Sequence, residues 1–393
     1  MNSYIAKLIC DILQIIVFLL GSYYLIIAFF SYFSFKKNAK YKNDYTFSVI
    51  IPAHNEADVL PELLKSIKNC NYQKNLIKTF VIADECSDRT VQIAKKFGSE
   101  VIVKDISISK GTAISYALKL YEERLLSSDC VVFFDADNIV DVNYFSELCE
   151  KFSSGSEVVQ GYVDSKNPNS SWVSNAHSIW YWITNRIFQN GRSELSLGCH
   201  INGTGFAVRS SVLKQVPFNP TTVAEDLEYT CELEMADIKV DFAPKAIVYD
   251  EKPTTFTDSV NQRLRWSVGI GDVQERYSFL FLKSGKYNAF LGLWSNVLSL
   301  FAFLILLISK IFSLGYIWSS PIGSLTVLIY LFSCFTVVFA ALIKDKKMNK
   351  NIFLNMFGFL IYVISWVPIG LFCRLSQKNK NWYHTKHTND SNY

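Results

Sequence analysis

The sequence predicts an α/β protein held at a membrane, with an open, helix-covered sheet in mid-chain flanked by apolar helices long enough to cross a bilayer. Three observations predict it. Of 393 residues, 50% are apolar, 15% aromatic and only 19% charged, whereas a soluble domain carries about 25% charge. Four long uncharged stretches lie toward the two ends of the chain. Between Thr46 and Asp250, short β-branched runs alternate with segments of helical spacing.

After an N-terminal segment, residues 1–11, no charged residue occurs in 12–35. About 20 apolar residues suffice to span a bilayer, and this stretch is too long and aromatic for a cleaved signal peptide. Lys36, Lys37, Lys40 and Lys42 follow at once and mark the cytosolic side. Residues 36–256 form the central, cytosolic domain. Its expected strands are 47–51, 79–83, 100–103 and 130–134, near-continuous apolar runs that read as buried parallel strands. Helical spacing lies between them: Val59, Leu63, Leu64 and Ile67; Val91 and Ala94; Ala113, Tyr116, Ala117 and Leu120. That alternation implies an open sheet covered by helices, in which ligands bind beyond the carboxyl ends of the strands.

Residues 257–286 read as an amphipathic interfacial helix, with Val260, Leu264 and Val268 on one face and Arg263 and Arg265 off it. Three further membrane segments are expected at about 287–309, 321–343 and 351–373, followed by a polar tail, 374–393. The loop carrying Lys344, Lys346, Lys347 and Lys350 falls on the cytosolic side, in agreement with the positive-inside rule. Three full crossings would put Arg374, Lys378, Lys380 and Lys386 outside, against that rule. One segment is therefore expected to lie in the interface or re-enter, and Pro368 and Gly370 make the last one the candidate.

Several classes drop out. A net charge of +4 gives no global basic field, so no nucleic-acid partner is expected. Nine scattered cysteines without a C-x-x-C pair suggest neither a disulfide framework nor a zinc site. Val140 stands where an EF-hand loop needs glycine, no P-loop is present, and Gly269-Ile-Gly271 follows helical rather than strand-like sequence.

Polar clusters stand at the strand ends. Asp135 and Asp137, one residue apart, can aim oxygens at one hard divalent cation and leave sites for a diphosphate; alone, the pair reads equally as turn aspartates capping a helix. Glu56 and Asp84 are strand-end acids able to accept hydrogen bonds from a base or ribose, and Lys110 opens a helix where an anion is welcome. Glu225 and Asp226 precede a helical run, as helix-dipole acids or as a general base for an attacking hydroxyl. Arg265 sits in Gln262-Arg-Leu-Arg-Trp266, suited to a lipid headgroup or to a leaving diphosphate.

In combination, these motifs resemble the membrane-embedded family 2 glycosyltransferases, which include cellulose, chitin, hyaluronan and poly-N-acetylglucosamine synthases. The resemblance covers about Phe47 to Arg276 plus the flanking spans. It implies a GT-A, nucleotide-diphospho-sugar transferase fold: a Rossmann-like mixed sheet flanked by transmembrane helices. Pro52, Asn55 and Glu56 would hold the nucleotide, Asp84 the uridine, and Lys110 would lie near the nucleotide. Asp135 and Asp137 would bind Mg²⁺ or Mn²⁺, with Asp135 also in the nucleotide-sugar site. Asn202, Gly203 and Thr204 would face the acceptor, Glu225 and Asp226 match the Thr-Glu-Asp motif with Asp226 as base, and Gln262, Arg265 and Trp266 match Q-x-x-R-W at the acceptor and phosphates. Ala224 replaces the usual threonine, and the spans are fewer than cellulose synthases use. Trp382 and Thr385, in W-x-x-T-x-H, resemble a gating loop that closes over the nucleotide.

The implied activity is inverting transfer from a UDP-sugar, UDP-glucose or UDP-N-acetylglucosamine, to a growing extracellular or capsular polysaccharide. The enzyme would be a multi-pass protein of the cell membrane, meeting a saccharide or glycolipid acceptor beside the lipid bilayer. The alternatives are transfer of one sugar to a lipid carrier and, from another class, a non-catalytic membrane protein that binds nucleotide sugar.

Overall fold

The computed structural model describes residues 2–33, 41–311, 321–348 and 350–375; the tail residues Trp382 and Thr385 lie outside them. The central domain is built on one eight-stranded mixed sheet in the order β3-β2-β1-β4-β7-β6-β8-β5. Its strands are β1 Phe47–Ala53, β2 Ile77–Asp84, β3 Glu100–Lys104, β4 Cys130–Phe133, β5 Ile139–Val140, β6 Val158–Ser165, β7 Phe206–Arg209 and β8 Val240–Asp250. The four strands expected from sequence are β1 to β4, and they pair in parallel. Successive residues point to opposite faces. Ile50, Val131 and Phe133 therefore enter one apolar core, while Val49, Ile51 and Val132 enter the other.

The strands missed by sequence make the sheet mixed. β7 runs antiparallel to β4, with Phe133 opposite Phe206, and β6 runs antiparallel to β7 and parallel to β8. This polarity gathers chemistry at one edge. The segment entering β7, Asn202 to Gly205, starts beside the end of β4, and Ser165 of β6 pairs with Asp250 at the end of β8. Between β6 and β8 the register slips from Gly161–Ala243 to Tyr162–Ile247, which bulges out Pro244, a residue that cannot donate to the ladder. A side chain on Gly161 would come within 2.6 Å of the Ala246 carbonyl, so only glycine fits there.

The main helices, numbered in chain order, are α1 Asn2–Phe30, α2 Leu60–Asn69, α3 Thr90–Lys96, α4 Lys110–Leu120, α5 Tyr144–Ser153, α6 Trp172–Ile183, α7 Glu225–Met235, α8 Phe256–Lys283, α9 Ser295–Ile311, α10 Pro321–Lys344 and α11 Met356–Leu375. Within α1, Leu8–Phe30 is the one helix among the described residues long and apolar enough to cross a membrane. A short helix, Tyr287–Leu293, joins Ser295–Leu306 at 69° and would make a second span only as a bent pair. Within α10 and α11 the apolar stretches Phe335–Lys344 and Met356–Gly370 stand out.

Helix α8 corrects the sequence reading. Val260, Leu264 and Val268 are only half-buried, while Ser259, Arg263, Val273, Tyr277 and Phe281 form the buried face. Arg263 is fully buried because α11 covers it. Its guanidinium stacks 4.3 Å from the Tyr362 ring and donates to the Tyr362 carbonyl (3.1 Å) and to Ser365 Oγ (2.7 Å). A stacked, hydrogen-bonded guanidinium tolerates this setting better than an ammonium would. On the same helix, a side chain at Gly269 would sit 2.7 Å from Ala224 Cβ. The glycine lets α8 press against the loop before Glu225.

The flanking apolar helices are tied to this domain. Asn190 donates to the Ser31 carbonyl at the end of α1 (2.9 Å), and Tyr24 donates to the Leu291 carbonyl (2.9 Å). In the loop after α10, Asp345 pairs with Arg186, and Lys347 pairs with Asp164.

Candidate active site

The carboxyl ends of β1, β2, β4 and β8 open on a cleft of about 460 Å³ that is closed on the far side by α8 and α11. Of the residues singled out from sequence, Pro52, Glu56, Asp84, Lys110, Asp135, Asp137, Asn202, Gly203, Thr204, Glu225, Asp226, Gln262, Arg265 and Trp266 line it. Asn55 does not. Its backbone is left-handed (φ 57°), and its Oδ1 accepts from Ser87 N (2.8 Å) and Asp88 N (3.3 Å). It therefore ties the first strand-end loop to the second and contributes nothing to the cleft wall.

Lys110 is the hub of the cleft. The Ser109–Thr112 capping box fixes the start of α4 and so places the lysine. Its Nζ lies 2.5 Å from Asp135 Oδ1, 2.8 Å from the Gly203 carbonyl and 3.8 Å from Glu225. Burial opposes its charge, yet Asp135 and Glu225 more than offset this and raise its pKa above that of an ordinary lysine. Asp135 itself is shifted up, chiefly by burial and further by Asp250 and Glu56, with Lys110 acting against the shift.

The aspartate pair is held by Asn138, which sequence reasoning passed over. This fully buried amide accepts from Asp135 N (3.0 Å) and from Thr204 Oγ1 (2.5 Å), and donates to Asp137 (3.3 Å) and Asp250 (3.2 Å). Thr204 thereby serves the aspartate loop: its hydroxyl also accepts from Asp135 N (3.0 Å). Asn202 is clamped by two buried glutamines, its backbone N–H on Gln160 (2.9 Å) and its side-chain oxygen on Gln189 (3.0 Å). Asp250 and Lys252 are further additions, paired at 2.7 Å with the ammonium 3.4 Å from the Tyr181 ring centre. Both sit at the end of β8, and the strand-end rule would have found them had Pro244 not disguised that strand.

Asp226 lies in the first turn of α7, where its Oδ1 accepts from Leu227 N (2.8 Å). Burial, reinforced by Glu225, pushes its pKa up to about 7 against the lowering effect of that N–H and of Lys110. Gly203 (φ +77°) approaches so closely that an added side chain would stand 3.3 Å from Asp226 Oδ2. The carboxylate thus looks onto bare backbone, with room for a substrate hydroxyl. Buried Glu228 fixes the preceding loop by accepting from Thr221 N (2.8 Å), Thr222 N (2.7 Å) and Arg276.

Nine carboxylates line the cleft against three cations, Lys110, Lys252 and Arg265. Such a surface repels a bare diphosphate and favours one accompanied by a divalent cation. The carboxylate oxygens of Asp135 and Asp137 are hard donors of the kind a divalent cation takes. Among the described residues no group of three acidic, histidine or cysteine side chains is placed to hold a metal ion, so substrate oxygens would supply the remaining ligands of a cation on the aspartate pair.

At the end of β2, Asp84 is already engaged. Lys104 Nζ donates to Oδ1 (2.8 Å) and Ser107 Oγ to Oδ2 (2.7 Å), with both charged groups nearly buried. Replacing Asp84 by Ala should weaken nucleotide binding about tenfold, the worth of one good hydrogen bond. It should also cost about 3–5 kcal/mol of stability by stranding Lys104. Nucleotide titration and thermal unfolding of the same variant check both; a variant as stable as the parent would dismiss the buried pair as a structural element.

The curled mixed sheet, with acidic strand ends facing a cleft, defines the GT-A-like class of glycosyltransferase fold. Residues 44–269 match the family described as glycosyltransferase like family 2; the chain belongs to that family and is a glycosyltransferase. It is 25% identical over 367 residues to the probable glycosyltransferase YdaM of Bacillus subtilis (strain 168), covering 87% of each chain. It is 24% identical over 362 residues to the poly-beta-1,6-N-acetyl-D-glucosamine synthase of Staphylococcus epidermidis, covering 86% of this chain and 85% of that one. The fold matches the mannosyltransferase PcManGT of Pyrobaculum calidifontis, solved with GDP-Man and Mn²⁺, at a TM-score of 0.57 and 15% identity over 86% of this chain and 98% of that one.

Proposed function

We propose that the protein transfers a hexose or N-acetylhexosamine, with inversion, from a UDP-sugar to a growing extracellular or capsular polysaccharide. UDP-glucose and UDP-N-acetylglucosamine are the donors that fit this reading. The observation that carries it is the half-buried Asp226 carboxylate facing the bare backbone of Gly203, with Lys110 bridging from Gly203 to Asp135 and burial raising the carboxyl pKa to about 7. A base is useful when its pKa lies near the working pH. Similarity along most of its length to a poly-β-1,6-N-acetylglucosamine synthase supports a polymer product over a single transfer to a lipid carrier.

In this mechanism the acceptor hydroxyl lies against Gly203 and gives its proton to Asp226 as its oxygen attacks C1 of the donor sugar. The new C1–O bond forms on the face opposite the diphosphate, and the bond from C1 to the diphosphate oxygen breaks. The electron pair leaves with UDP. Lys110 and Arg265 stabilise the charge that develops there. Asp135 and Asp137 would hold Mg²⁺ or Mn²⁺, which supplies further positive charge against the diphosphate. Nucleotide release from purified protein in detergent, given UDP- and GDP-sugars with Mg²⁺ or Mn²⁺, tests the assignment. Turnover of UDP-sugars is expected; turnover confined to GDP-sugars, or none, overturns it.

The proposed placement is a cell-membrane protein with residues 36–256 on the cytosolic face. In support, the end of α1 and the lysine loop after α10 both dock on that domain. Helix α11 packs one side on α6 and α8 while Phe357, Leu360, Ile361 and Ile364 stay exposed. A helix that is apolar outside and docked inside suits the membrane surface, which would keep the basic tail and its proposed gating residues cytosolic. A cysteine introduced at Ser391 should therefore escape an impermeant thiol reagent in intact cells and react after permeabilisation; ready labelling of intact cells would put the tail outside.

A further inference from the structure

We infer that Trp180 of α6 and Trp366 of α11 form a stacking wall for a pyranose ring of the acceptor saccharide. The inference rests on the transferase reading above and names the acceptor chemistry of the same cleft. Half of this wall comes from a helix beyond residues 44–269, the part of the chain that matches the family.

Both indoles line the cleft, with ring centres 6.2 Å apart and planes inclined by 33°. They are braced from one side. Tyr362 lies 6.2 Å from Trp180 and meets Trp366 edge-on at 6.4 Å. Arg263 lies 4.3 Å from the Tyr362 ring and 5.4 Å from Trp366, and Ser259, Tyr362 and Ser365 accept its hydrogen bonds. Gly358 permits this docking, since a side chain there would meet the Trp172 ring at 3.0 Å.

The charges decide what such a wall takes. Of the cations lining the cleft, Lys110 is committed to Asp135 and Lys252 to Asp250, and Arg265 is assigned above to the leaving diphosphate. Little positive charge remains here for an acceptor that carries a phosphate. An uncharged sugar suits the wall better: its C–H face is apolar and can lie on an indole, whose ring carries partial negative charge on its face. Its hydroxyls both donate and accept. Gln262 lines the same cleft, and a side-chain amide can donate to and accept from such hydroxyls.

The test uses the full-length protein in detergent, with short oligosaccharides of the donor's own sugar as probes. Binding is followed by intrinsic tryptophan fluorescence without donor, and transfer by nucleotide release. Trp366→Ala should raise the oligosaccharide Kd and acceptor KM about tenfold, the scale of one lost aromatic contact, with UDP affinity unchanged. Trp366→Phe, which keeps a ring and the packing on Tyr362, should recover most of that loss, and Trp180→Ala should reproduce it. Unchanged oligosaccharide affinity in both alanine variants, a parallel loss of UDP affinity, or transfer only to a polyprenyl phosphate would overturn the wall. A parent that releases no nucleotide from any sugar donor would instead sink the transferase reading, while the fluorescence titration still reports on the wall.

Discussion

Asp226→Asn should bind UDP nearly as the parent does and lose at least about a hundredfold in transfer, the lower end of what a positioned general base contributes. A sugar hydroxyl is a poor nucleophile near neutral pH, and the amide keeps the shape of the side chain while removing its basicity. Because the Asp226 pKa is raised to about 7, the parent has a rising pH limb. The base must be ionised, so kcat should climb as pH rises through about 7 and level off above it. In Asp226→Asn that limb should vanish. The same shift acts on stability with the opposite sense. Between the unfolded value of about 4 and the folded value of about 7, the native state binds more protons than the unfolded one, so this group's contribution falls as pH rises through that window. The Asn variant should therefore melt higher than the parent at pH 8 while transferring far less. Parental transfer rates, or UDP binding lost in step with activity, would show that this carboxylate is not the base.

What the sequence made legible follows from what repeats in it. β1 to β4 are buried on both faces and read as unbroken apolar runs. The acids after them, Glu56, Asp84, Asp135 and Asp137, all reach the cleft wall. The second half of the sheet carried no such signal, because β5 has two residues and β8 is interrupted by Pro244 and its bulge. Losing β8 meant losing Asp250 and Lys252. Asn138, Gln160 and Gln189 were invisible for another reason: each ties together several buried groups, some local and some distant. No spacing rule encodes such buried amide networks. Arg263 was misjudged on its own helix: amphipathic counting takes a charged residue as outward-facing, and only the docking of α11 supplies the tyrosine and serine that make burial tolerable. Trp180 and Trp366 stand far apart in sequence and meet only where α6 and α11 pack together.

Removing the metal should abolish turnover. Excess EDTA is expected to silence the enzyme and Mg²⁺ or Mn²⁺ to restore it, because the cleft's nine carboxylates outnumber its cations threefold and a diphosphate carries negative charge of its own. The two aspartates should then separate. Asp137 Oδ1 accepts from Asn138, and Asp137→Ala removes a proposed ligand while leaving the pair of Asp135 and Lys110 in place. That variant should need far more metal for half-maximal activity, at nearly parental stability. Asp135 is also the partner of Lys110, and Asp135→Ala leaves that ammonium, raised in pKa by the acids around it, leaning on Glu225 beside the base. No metal concentration should rescue it. Its residual UDP binding should weaken as well, since the lysine swings away from the place where the diphosphate lies. Full turnover in excess chelator would remove the metal from the mechanism, and rescue of Asp135→Ala by high Mn²⁺ would reduce Asp135 to a ligand and leave Lys110 positioned by Glu225 and the Gly203 carbonyl alone.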